Sequence, residues 1–104
     1  MTALTNTDEL FTRSQQDLLL VRIGTASGDR KFRATIRRNA YDFQGYGRVE
    51  LWTPAGWTEV VTLSGAHPVM AELPTYVDRD DDKCTKTLRS VARMLETQAE
   101  EIAR

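Results

Sequence analysis

Tyr46-Gly47-Arg48-Val49-Glu50-Leu51-Trp52-Thr53-Pro54-Ala55-Gly56-Trp57-Thr58-Glu59-Val60-Val61-Thr62-Leu63 is the stretch that decides the fold. Two runs rich in β-branched and aromatic residues, 46–53 and 57–63, flank Pro54-Ala55-Gly56, which is the pattern of an antiparallel hairpin. Pro54 presets φ for the first central position of a type I turn, and Gly56 suits a left-handed position. Together they predict a three-residue loop with a bulge. In that register Val49 faces Val61, although Leu51 then lies opposite Glu59. A two-residue loop would pair Trp52 with Trp57 and set Glu50 against Glu59, a like-charge contact that disfavours it.

Upstream, residues 30–38 alternate strictly. Phe32, Ala34 and Ile36 point one way and Lys31, Arg33, Thr35 and Arg37 the other, so a half-buried strand with a basic outer face is expected. Leu18 to Ile23 reads as a buried strand closed by the turn residues 24–29. Before it, Asn6 and Glu9 have capping-box spacing and Leu10, Phe11, Ser14 and Leu18 recur at helical intervals, which predicts a short N-terminal helix. Tyr41 to Gly47 is an aromatic connector in which two glycines allow a bend. Downstream, Pro68 and Pro74 interrupt a crossing loop with one short strand over 69–73.

Beyond that loop the period changes. Cys84, Leu88, Val91, Leu95, Ala99 and Ile102 recur in steps of three and four behind an acidic run, predicting a C-terminal helix over about 82–103. The resulting expectation is an α+β fold: an antiparallel meander of three to five strands, including the 46–63 hairpin, packed against that helix. Leu88, Val91, Leu95 and Ile102 should meet Phe32, Ile36, Val49, Leu51 and Val61. Trp57 is expected in the core, while Trp52 suits the core and the outer face equally.

Length and composition narrow the function classes. A chain of 104 residues has room for one hydrophobic core, so 1–104 is read as a single domain. The longest apolar run, Leu18 to Val21, is far too short to cross a bilayer, and the first residues lack the pattern of a secretory signal. With Cys84 as the lone cysteine, no internal disulfide can form, and a reducing, cytoplasmic setting fits. A net charge of −1 favours no class of partner.

Candidate chemical groups are few. Asp78, Asp80 and Asp82 alternate like the start of a calcium loop, but Lys83 and Arg89 occupy the places where such a loop needs Gly and Glu. The run is better read as a helix start, and no metal or cofactor is expected. His67 is the single histidine; a hydrolase centred on it would need Ser64, Cys84 or an aspartate brought close, and His67-Pro68 reads more economically as a turn. Cys84 on the apolar stripe should be buried and inert.

Two binding readings remain. Arg30, Lys31, Arg33, Arg37 and Arg38, followed by Tyr41 and Phe43, combine charge with stacking as single-strand nucleic-acid binders do. Alternatively, Trp52, Arg33, Arg37 and Tyr46 form a protein-binding face, since arginine and aromatic side chains dominate interface hot spots. Asp42, Glu50 and Glu59 could neutralise the basic strand, which would make it a solvated, salt-bridged face instead of a nucleic-acid site. The apolar stripe of the C-terminal helix could also pair two copies, although sheet packing would remove the same stripe from water.

The segment Tyr41-Asp42-Phe43-Gln44-Gly45-Tyr46, with Val49-Glu50-Leu51-Trp52 and Gly56-Trp57-Thr58-Glu59-Val60, resembles small uncharacterised accessory proteins of actinobacteria and their phages. That resemblance implies neither a fold nor a reaction; it implies an accessory protein acting by contact, on a host component. The expected function is therefore a cytoplasmic protein-binding module, with nucleic-acid binding as the alternative, a hydrolase at His67 as a remote one, and no membrane association.

Overall fold

Side-chain alternation builds the first layer. The computed structural model of the chain describes residues 5–14, 17–26, 29–39, 46–64, 67–74 and 78–103. Five strands, β1 (Thr5–Arg13), β2 (Asp17–Ala26), β3 (Arg30–Asn39), β4 (Tyr46–Thr53) and β5 (Gly56–Leu63), each pair antiparallel with the next. Spatial order equals chain order. A short helix α1 (Pro68–Ala71) leads to the long helix α2 (Asp81–Ala103), which completes the expected α+β meander.

One face of the sheet is apolar. Leu18, Leu20, Phe32, Ala34, Ile36, Val49, Val61 and Leu63 form a core with Cys84, Leu88, Val91, Ala92, Leu95 and Ala99 of α2. Helix and sheet approach closely because Gly47 has no side chain. A Cβ there would stand 2.8 Å from Leu95 Cδ1 and 3.1 Å from Ile36 Cδ1. The Asp80 carboxylate accepts the Lys83 N–H at 3.1 Å, and Asp81 and Asp82 occupy the first turn, so the acidic run acts as a helix start.

A chain of charges runs through this layer. Arg22 lies between Leu20 and Gly24 on the inner face with 5% exposure, and Glu96 faces it from α2 with 1%. The Arg22 Nε donates to Glu96 Oε2 at 2.8 Å, and its Nη1 donates to Glu9. Glu9 in turn accepts the Arg89 Nε at 2.9 Å. Glu96, Arg22, Glu9 and Arg89 thus join α2, β2 and β1. Nearer the start of α2, the Arg13 Nε donates to Asp81 Oδ1 at 2.8 Å.

Several expectations are corrected. The segment expected as an N-terminal helix is β1, in which Glu9, Phe11 and Arg13 face inward beside Arg22, Leu20 and Leu18. Strand pairing satisfies Glu9 through two arginines, which the local capping box could not match. The hairpin takes the two-residue turn at Pro54-Ala55: Trp52 pairs with Trp57, and Glu50 with Glu59. Arg33 and Arg48 flank Glu50 and offset the like-charge contact. The bulge lies beyond it, between the Val49 and Glu50 pairs, and restores Val49 opposite Val61. Gly56 does take a positive φ, of 100°.

Trp57 consequently lies with Trp52 on the outer face, not in the core. The strand expected over 69–73 is α1 and its flank, because Pro68 stands in its first turn and His67 caps it. Ile102 is 63% exposed, and Ala99 and Ala103 pack at that end of the interface instead. The connector residues Tyr41, Asp42 and Phe43 lie outside the described residues.

The charge chain sets the pH behaviour. The Arg89 hydrogen bond, reinforced by Arg22, holds the Glu9 carboxyl below its ordinary 4.5. Glu9 therefore stabilises the folded state above pH 4.5, and this contribution fades as pH falls through the lowered folded value. Glu96 has the opposite sign, since burial raises its carboxyl more than Arg22 lowers it; acidification relieves a cost of folding there.

Three outcomes follow for stability. Glu9→Gln should lower the urea midpoint at neutral pH and flatten its decline below pH 4.5, as read from melts across an acid series. Glu96→Ala leaves Arg22 buried without its main partner and should destabilise by about 3–5 kcal/mol, whereas R22M/E96L should be about as stable as wild type in the same denaturant titration. Gly47→Val drives a side chain into Leu95 and should lower stability by about 1–3 kcal/mol, while Gly56→Ala, whose Cβ meets no atom within 4 Å, reports backbone strain alone.

Candidate functional site

The face turned away from α2 holds all four residues expected to bind a partner. Antiparallel register lays them out in rows: Thr12, Leu19, Arg37 and Tyr46 in one, Leu10, Val21, Thr35 and Arg48 in the next, and Asp8, Ile23, Arg33 and Glu50 in a third. Arg37 and Tyr46 are direct cross-strand neighbours. Trp52 stands beyond Glu50 beside the turn, 55% exposed.

Each arginine on this face is held in place. The Arg33 Nε donates to Glu50 Oε1 at 3.0 Å, and its guanidinium lies 4.5 Å from the centre of the Trp57 ring. Trp57 meets Trp52 edge to face with centroids 5.2 Å apart. Arg37 Nη2 donates to Asp17 Oδ2 at 3.0 Å. Arg48 lies over Tyr46 at 5.1 Å and reaches Glu50 Oε1 at 3.6 Å. Cation–π and ionic contacts thus fix a relay from Trp52 through Trp57, Arg33, Glu50 and Arg48 to Tyr46.

The basic strand is divided. Arg33 and Arg37 join the outer face and Lys31 is exposed, whereas Arg38 is buried, 6% exposed, and Arg30 donates to the Ala103 carbonyl at the end of α2. Tyr41 and Phe43 lie outside the described residues. The structure therefore does not gather Arg30, Lys31, Arg33, Arg37 and Arg38 on one surface.

The candidate reactive groups stand apart in their uses. His67 is exposed, and its Nδ1 accepts the Val69 N–H at 3.2 Å as the cap of α1. Cys84 is buried, accepting from Arg13 Nη2 at 3.6 Å and donating to the Asp78 carbonyl at 3.7 Å. Among the described residues no group of three or more His, Cys, Asp or Glu could hold a metal ion.

One feature of this face was missed in the sequence. Leu10, Leu19, Val21 and Ile23 form an apolar stripe across β1 and β2, with Leu10 63% exposed at the rim. Shallow hollows of about 220 Å³, lined by Leu10, Val21 and Ile23 with Asp8 and Glu9, and about 200 Å³, lined by Leu19, Arg37 and Asp17 with Thr12 and Ser14, lie along it. The signal was apolar residues at both parities of 18–23 in a chain with a single long helix, which can cover only one face.

Among the described residues no helix is long and apolar enough to cross a membrane. Comparison with family models, with curated proteins and with solved structures finds no match to this chain.

Proposed function

We propose that this protein is an accessory module that acts by contact, binding a protein partner through the outer face of its sheet at Trp52, Arg33, Arg37 and Tyr46. The supporting observation is Trp52: a large indole, more than half exposed, meeting Trp57, over which Arg33 lies, on a face whose arginines Arg33 and Arg37 are held by Glu50 and Asp17. Exposed aromatic and arginine side chains are the usual anchors of protein interfaces. Prior immobilisation reduces the entropy lost when they are engaged. The lone buried cysteine suits a reducing compartment, so the setting proposed is the cytoplasm.

The same ion pairs weigh against nucleic acid as the partner. Phosphate binding gains its free energy from releasing counterions, and Arg33 and Arg37 would first have to leave their carboxylates. Partner capture from the native host, followed by titration, tests the proposal. Replacing Trp52 and Arg37 together by alanine should weaken partner binding by about 2 kcal/mol or more while leaving the thermal melt cooperative. Binding equal to wild type would show that this face is only solvated surface, and salt-sensitive retention on single-stranded DNA that the double variant loses would assign the face to nucleic acid instead.

A further inference from the structure

The free edge of β1 matches itself when reversed. From Glu9 to Arg13 the strand reads acid, apolar, apolar, hydroxyl, base: Glu9-Leu10-Phe11-Thr12-Arg13. Turned antiparallel about a two-fold axis at Phe11, a second copy sets the partner subunit's Arg13 opposite Glu9 and the partner subunit's Glu9 opposite Arg13. Phe11 meets its own counterpart, and Leu10 meets a threonine. Paired aromatic residues at directly facing positions stabilise antiparallel strands, and Glu9 and Arg13, each already ion-paired within its own chain, set no like charges against one another across the axis.

The two sheet edges differ in ways that leave this one open. β5 is bulged near Val60 and carries the exposed charge of Glu59, two devices that stop a sheet from extending. β1 holds regular register from Asp8 to Arg13, its irregularity confined to the stretch between Thr5 and Asp8; it contains neither proline nor lysine, and its inward charges Glu9 and Arg13 are already offset within the chain by Arg22, Arg89 and Asp81. On the inner side, Phe11 is half-buried at the rim of the core. On the outer side, the stripe of Leu19, Val21 and Ile23 ends at the exposed Leu10. A second β1 would cover the rim and place the two stripes side by side. The apolar stripe of α2, by contrast, already faces its own sheet.

We propose that β1 pairs with β1 of a second copy, joining two five-stranded sheets into one continuous antiparallel sheet across a two-fold axis at Phe11. The interface is isologous, so it closes at the dimer. One strand pair buries less surface than a standard interface, and the association is accordingly weak and concentration-dependent. It uses the opposite edge of the sheet from Trp52, and sedimentation of the isolated chain reads it separately from partner binding there.

Sedimentation velocity on the full chain over a concentration series tests this, with two variants at outward-facing, exposed positions that leave the core untouched. L10K/T12K sets lysine opposite lysine on both sides of the axis and should raise the dimer dissociation constant about tenfold or more. L10K/T12E sets lysine opposite glutamate in the same register and should return it to within about threefold of wild type. Far-UV circular dichroism confirms that both variants are folded. A wild-type chain that stays monomeric at the highest concentration, or two variants that associate equally, would overturn the proposal.

Discussion

Arg22 is a guanidinium placed where the sheet and the helix would otherwise meet through hydrocarbon alone. Apolar side chains can slide past one another at small cost, but a buried cation cannot leave its carboxylate without a desolvation penalty of several kcal/mol. Glu96 therefore selects one position of α2 along the sheet. Glu9, shared between Arg22 and Arg89, carries the same restriction to the edge strand. The pairing contributes little net stability by itself. What it supplies is a geometric tie, one guanidinium that joins α2, β2 and β1.

With α2 committed to one face, none of the described elements covers the other. Its surface divides along the strands. Apolar residues gather on β1 and β2, while β3 to β5 present arginines locked to carboxylates and aromatic rings. The second half is pre-organised rather than strongly charged, because Glu50 and Asp17 balance its cations locally. Such a surface projects little long-range field.

Legibility varied with how far each residue's environment was local. The helix was readable because Leu88, Val91 and Leu95 repeat within their own segment, and the outer placement of Arg33 and Arg37 followed from strict alternation. β1 was misread because its inward positions hold Glu9 and Arg13, whose partners lie as far away as residues 89 and 81; charges at core-facing positions erase the binary pattern. Trp57 was misplaced for a related reason. One bulged residue reverses the face of everything between it and the turn, and sequence pairing rules set the bulge at the turn rather than near Val60. Arg22 within an apolar run, and Glu96 one step from Leu95, were visible anomalies. Only the fold shows that they answer each other.

Because the strands are laid down in the order in which they lie in the sheet, a growing chain can add each one beside its predecessor through short connections. The covering helix comes after all five. During synthesis the inner face, Phe32, Ile36 and Val49 included, waits bare, with Arg22 lacking its carboxylate from α2, until the turn of α2 containing Leu95 and Glu96 has been made. The most vulnerable moment for this protein is thus one of timing: a finished sheet with no roof, open to chaperones and to other nascent copies alike.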